Sequence, residues 1–144
     1  MSENVELIKS ILPEEIDLAE VINGPDPGQM FAGVPKGRVA PDLEVLFAPP
    51  QSGGPGLAYK GLEGLVEGWR DWLLPWHSYW MRAEEFIEAG DNVVVHVRVA
   101  ARTERDGVAV EHSPSSVWTV KDGRIVAVRF YLERDGALSF AGIG

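Results

Sequence analysis

Cysteine is absent from the 144-residue chain, which excludes disulfides, thiolate nucleophiles and cysteine metal sites together. Positive charge is scarce: 13 Lys and Arg stand against 22 Asp and Glu, a formal net charge of -9. Affinity for phosphate backbones and anionic lipid comes largely from clustered Lys and Arg, so neither nucleic acid nor membrane is an expected partner. No apolar run approaches the roughly 18 residues that a membrane-spanning helix needs. The first residues, Met-Ser-Glu-Asn-Val-Glu, lack the basic start and long apolar core of a secretion signal. Together with the absent cysteines this reads as a cytoplasmic protein. Internal repeats and low-complexity tracts are missing too.

What remains is an ordinary globular composition, 45% hydrophobic and 24% charged, at a length that suits one domain over residues 1–144. Residues 1–23 place Val5, Ile8, Leu12, Ile16 and Ala19 at helical spacing, interrupted by Pro13, and predict two short helices or one broken helix. Seven of the ten prolines and seven of the sixteen glycines fall in residues 24–56, so 24–41 reads as loop, with Leu43 to Phe47 the strand-like run that follows. From Leu62 to Trp76, apolar Leu62, Leu65, Val66, Trp69, Trp72, Leu73 and Trp76 recur at i, i+3, i+4 and i+7. This predicts an amphipathic helix with an aromatic-rich face, fraying at Leu74 before Pro75.

The rest is β-rich, about 79–89, 93–103, 108–120 and 124–133, with Gly90-Asp91, Asp106-Gly107 and Asp122-Gly123 at the turns. Asp-Gly between two apolar runs is a strong hairpin signal, because a type I′ turn needs positive φ at both central residues. Alternation puts Val93, Val95, Val97, Val99 and Ala101 on one face and His96, Arg98 and Arg102 on the other. In the last strand Val126, Val128, Phe130 and Leu132 form the apolar set. Pro114 suggests a bulge in the long third strand. Helices followed by an antiparallel sheet, apolar face toward them, give an α+β fold. A short C-terminal segment with Ala137, Leu138 and Phe140 could close one end.

Three motifs in order, Tyr59-x-Gly61-x-x-Gly64 opening the helix, Glu88-x-Gly90-Asp91 before the valine strand, and Trp118 followed by Gly123-Arg124-Ile125, carry a family resemblance. Over residues 42–142 the chain resembles the SnoaL-like branch of the nuclear transport factor 2-like superfamily. The resemblance implies a cone: a strongly bent antiparallel sheet wrapped around N-terminal helices, with an apolar cavity at its wide end. It also implies a small-molecule ligand, with Leu46, Ala48, Tyr59, Trp69 and Trp72 lining one side of that cavity. Val97, Ser115, Val117, Val128 and Phe130 would line the other. Such sheets often pair back to back, and an outer row of His96, Arg98, Trp118, Arg129 and Tyr131, rich in the residue types that interfaces enrich, predicts a homodimer.

The superfamily contains ketosteroid isomerase, limonene epoxide hydrolase, scytalone dehydratase, polyketide cyclases and proteins that only bind, so fold cannot settle function. The isomerase's general base falls on Ala48, its acid at or near Ser115, and its helical tyrosine has no counterpart. The hydrolase's last-strand aspartate falls on Phe130. Inherited chemistry is therefore weak, and Glu44, on the face of Leu46 and Ala48, becomes the substitute proton-transfer candidate. His112, close to Pro114, and His77, after the helix, are the others, since a neutral imidazole is a serviceable base. No histidine has a partner at zinc-ligand spacing, so neither metal nor cofactor is expected. The glycines of the Tyr59 motif lack the strand and ribose partner of a nucleotide fold.

Three readings follow: binding of a small, largely apolar metabolite; a cofactor-independent isomerase, cyclase or hydrolase using Glu44 or a histidine; and a non-catalytic dimeric interaction module. A cavity well below roughly 300 Å³ would favour the last. An inward Glu44 or His112 beside a substrate-sized cavity would favour the second.

Overall fold

The computed structural model describes residues 3–12, 15–25, 37–47, 57–131 and 133–142. Ala48, Leu132, Pro13 and most of the proline-rich loop lie outside them. The elements are α1 (Glu3–Lys9), β1 (Glu15–Asp17), α2 (Leu18–Ile22), β2 (Val39–Phe47), β3 (Leu57–Lys60) and α3 (Gly61–Trp72). After these come β4 (Ser78–Ala89), β5 (Asn92–Arg102), β6 (Val110–His112), β7 (Ser115–Lys121), β8 (Arg124–Tyr131) and α4 (Arg134–Ala141).

One eight-stranded sheet runs β1-β4-β5-β7-β8-β2-β3, with β6 also paired to β5. The fold is α+β, and the sheet is mixed rather than wholly antiparallel. β2 runs parallel to β8, Val45 opposite Val128 and Phe47 opposite Phe130. A pairing between strands so distant in sequence leaves no turn signal to read. The β7–β8 hairpin turns as its sequence demands, with φ of 53° at Asp122 and 76° at Gly123. Pro114 does more than bulge the third strand: it separates β6 from β7.

α3 ends at Trp72, before Pro75, with Leu73 as its cap. Its inner stripe buries Leu65 and Trp69 among side chains of the sheet. Glycine inside a helix costs roughly 1 kcal/mol relative to alanine. At Gly68 that cost accompanies a close approach, because a Cβ there would collide with the rings of Phe47 and Tyr59. Asp17 caps α2 by accepting from the Glu20 backbone N–H at 3.4 Å and also accepts from the Tyr79 N–H at 3.0 Å. One carboxylate thus ties α2 to the start of β4.

The main core lies on the inner face, between the sheet and α1, α2 and α3. A second, smaller cluster of Val94, Val117 and Ala137 lies on the outer face, where α4 packs across β5, β7 and β8. α4 therefore covers a sheet face as a helix; the C-terminal segment had been expected to close one end.

Three facing assignments need correction. In β2, Leu43, Val45 and Phe47 are buried whereas Glu44 is exposed and Leu46 half-buried, so Glu44 and Leu46 point outward. In β7, Trp118 stands opposite Val93 and is 0% exposed, inside the main core, while Val117 stands opposite Val94 beneath α4. In β8 the ladder shifts at Val126, since Val120 pairs with Ile125 but Thr119 with Ala127. The extra residue brings Ile125 and Val128 both into the core.

Candidate functional site

The inner face carries a continuous aromatic cluster. Phe47 stacks on Phe130 at 4.8 Å and on Trp72 at 5.6 Å, with Tyr59 edge-on at 5.8 Å. Phe130 meets Trp69 at 5.7 Å and Trp118 at 6.2 Å. Beside them lies a pocket lined by Leu12, Leu18, Phe47, Trp69, Trp72, Tyr79, Met81, Val97, Val99, Pro114, Ser115, Ser116, Phe130 and Tyr131. The pocket's volume is about 60 Å³.

The pocket's polar groups are few and mostly engaged. The Ser115 hydroxyl bonds His96 Nδ1, and the Ser116 hydroxyl accepts from Trp118 Nε1 at 2.9 Å. Tyr79, 4% exposed, accepts from Trp72 Nε1 at 3.3 Å and lies 3.4 Å from His112 Nε2. The register explains the meeting. Tyr79 stands opposite Ala101 on β5, and His112 on β6 stands opposite Val99. Both therefore face inward and reach each other past the short side chain of Ala101. Burial pushes the Tyr79 hydroxyl above the ordinary phenol range, against the opposing bond from Trp72. Burial also holds His112 below the usual imidazole value. Near neutral pH the pair is a neutral phenol beside a neutral imidazole, sharing one hydrogen bond whose direction is set by the imidazole tautomer.

Of the residues expected around a cavity, Trp69, Trp72, Val97, Ser115 and Phe130 line this pocket. Tyr59 packs against Phe47 but turns its hydroxyl to Asp71, donating at 3.1 Å, and with Leu46, Val128 and Glu44 borders a separate outer hollow. Val117 lies under α4. Among the candidate bases, Glu44 is on the opposite side of the sheet, His77 is exposed in the turn before β4, and His112 adjoins the pocket through Tyr79. Tyr79, Met81, Leu12 and Leu18 were not anticipated as lining. Alternation from Ala101 across the Gly90-Asp91 turn was the signal that could have found Tyr79 and Met81. Among the described residues no group of three or more His, Asp or Glu side chains could hold a metal ion.

The outer row expected at a dimer interface is largely occupied within the chain. Trp118 points inward. His96 is 4% exposed, bonded to Ser115 and 3.8 Å from Glu85. Arg98 pairs with Glu84 at 3.4 Å, Arg129 lies 4.2 Å over the Phe140 ring, and Tyr131 packs against Phe140.

Three helices on the inner face of a mixed, mostly antiparallel sheet, a fourth on its outer face, and an apolar pocket on the inner side define an α+β fold of the nuclear transport factor 2-like and ketosteroid isomerase-like kind. The chain belongs to the SnoaL-like domain family, whose model matches residues 36–128. A comparison with curated protein sequences finds no match. Among solved structures, TerC co-crystallised with polyporic acid is similar at 20% identity and a TM-score of 0.64, over 98% of this chain and 99% of that one. A protein from Jannaschia sp. CCS1 assigned as a SnoaL-like polyketide cyclase is similar at 18% identity and 0.64, over 95% and 90%. A ketosteroid isomerase-like protein from Catenulispora acidiphila, in complex with trimethylamine, is similar at 12% and 0.60, over 96% and 94%. At these identities the likeness is one of fold. No helix of the described residues is long and apolar enough to cross a membrane.

Proposed function

We infer that this protein binds a small, largely apolar molecule in the pocket between α3 and the inner sheet face. The observation that carries the reading is a pocket walled mainly by aromatic and aliphatic side chains, with the lightly bonded hydroxyl of Tyr79 in its lining. Two of the similar folds, TerC and the Catenulispora protein, were crystallised with small molecules, which accords with it. At about 60 Å³ the space is well under the roughly 300 Å³ of ordinary ligand pockets. The ligand is therefore about the size of a single ring, or Trp72, half-buried and tethered by one 3.3 Å bond, swings aside for something larger.

The same small volume favours a second reading, an interaction module with a filled core. Titration with benzene followed by NMR separates the two. Saturable shifts of the Trp69 and Trp72 indole signals are expected, and their absence at millimolar benzene would establish the filled core. The alternative of a cofactor-independent enzyme would rest on His112, which lies 3.4 Å from the Tyr79 hydroxyl at the pocket edge, rather than on Glu44, which is on the opposite face. A homodimer through the outer face would form over α4, with Arg98 and Arg129 as its accessible remainder.

A further inference from the structure

The hydroxyl of Tyr79 is a buried, lightly bonded polar group of the pocket, set deeper than that of the half-buried Tyr131. Hydrogen bonds between nitrogen and oxygen ordinarily span about 2.7–3.2 Å, whereas the two nitrogen partners of this oxygen stand at 3.3 and 3.4 Å. A buried hydroxyl with two long bonds has capacity left for a third partner, and the open space beside it is otherwise lined mostly by carbon. Its neighbours Ser115 and Ser116 already hold a histidine nitrogen and an indole N–H. His112 makes the capacity two-sided. With Nε2 bare, Tyr79 donates to it and can accept from a ligand hydroxyl; with Nε2 protonated, Tyr79 receives that proton's bond and can donate to a ligand carbonyl.

We propose that Tyr79, backed by His112, is the recognition point for a single hydroxyl or carbonyl oxygen on an otherwise apolar, ring-sized ligand. The inference rests on the binding role of the pocket and adds the class of molecule it selects. Tyr79 is a specificity residue here, and His112 positions its hydroxyl. Ala101 and Val99, opposite the two side chains, supply a short floor that lets them meet.

Benzene and phenol, which differ by one hydroxyl, are the probes. Affinities for both are measured by NMR titration with the unaltered protein, Tyr79→Phe and His112→Gln. Tyr79→Phe is expected to weaken phenol about five- to tenfold, the worth of one net hydrogen bond, and benzene less than about twofold. His112→Gln, altered at a half-buried strand edge, falls between, again for phenol only. Equal changes for the two probes in both variants, or no change for either, would overturn the proposal while leaving the pocket standing. Failure of both probes to bind the unaltered protein would overturn the binding role and this inference with it.

Discussion

The two faces of the sheet are closed by different means. On the inner face, six aromatic rings from β2, β3, α3, β7 and β8 lean on one another at 4.8 to 6.2 Å, and space is left beside them. On the outer face, α4 lies against small side chains, with Ala137 over Val94 and Val117. Gly136 comes so near Tyr131 that a Cβ there would stand 2.8 Å from the ring. Rings bring large contact areas and leave a pocket beside them here, whereas small residues let a helix come close to the sheet. A binding site belongs on the first face, and the second works as a lid that the chain supplies for itself.

The largest effect should come from removing a ring on the inner face. Trp118→Ala deletes a side chain with no exposure at all, and urea denaturation should show a loss of about 3–5 kcal/mol. Benzene should bind the variant more tightly, because the gap joins the pocket through Phe130. A cost under about 1 kcal/mol would place Trp118 on the outer face after all.

A smaller effect is expected from the lid. Ala137→Glu puts a carboxylate where there is no solvent and should lift α4 from the sheet. The loss should be on the order of 2 kcal/mol, comparable to exposing one valine-sized side chain. Faster hydrogen exchange in residues 134–141 would report the lifting, and light scattering would show whether the bared face then pairs. Benzene binding should stay unchanged. If it collapses as well, the two faces are mechanically one and the contrast between them fails.

Much of the fold was legible because periodicity is a local property. The spacing of Leu65 and Trp69 in α3, the valines of β5 and the Asp122-Gly123 turn each follow from neighbours in sequence. What failed was the choice between two faces. In β2, both Glu44-Leu46 and Leu43-Val45-Phe47 contain apolar residues, and inheriting the orientation from a catalytic relative overrode the larger apolar set. In β7, Trp118 and Val120 alternate with Thr119 and Lys121, so the inward pair is readable there, although tryptophan is also a residue type that interfaces enrich. The parallel β2–β8 pairing and the Tyr79–His112 contact arise between segments far apart in the chain. No local pattern encodes them.

The smallest effect, and the finest probe of the comparison, is the pH dependence of stability. Each face holds one histidine: His96, buried beneath α4, and His112, half-buried beside Tyr79. Burial, and behind it the Arg134 guanidinium, holds His96 below its ordinary value, although Glu85 and Glu84 pull the other way; burial acts on His112 likewise. Both groups therefore resist protonation when folded, while the unfolded chain takes up protons near pH 6.5. The unfolded state binds more protons as pH falls through that value, so stability present at pH 7.5 should decline toward pH 5.5. The quantity to compare is the slope of melting temperature against pH, not its level, since any substitution of a buried histidine shifts the level. His96→Gln should flatten the slope more than His112→Gln, because His96 is the less exposed of the two and charging it beneath a closed lid has less water to draw on. Equal flattening would mean that the outer face is no drier than the pocket edge, and that α4 is a looser lid than its packing implies.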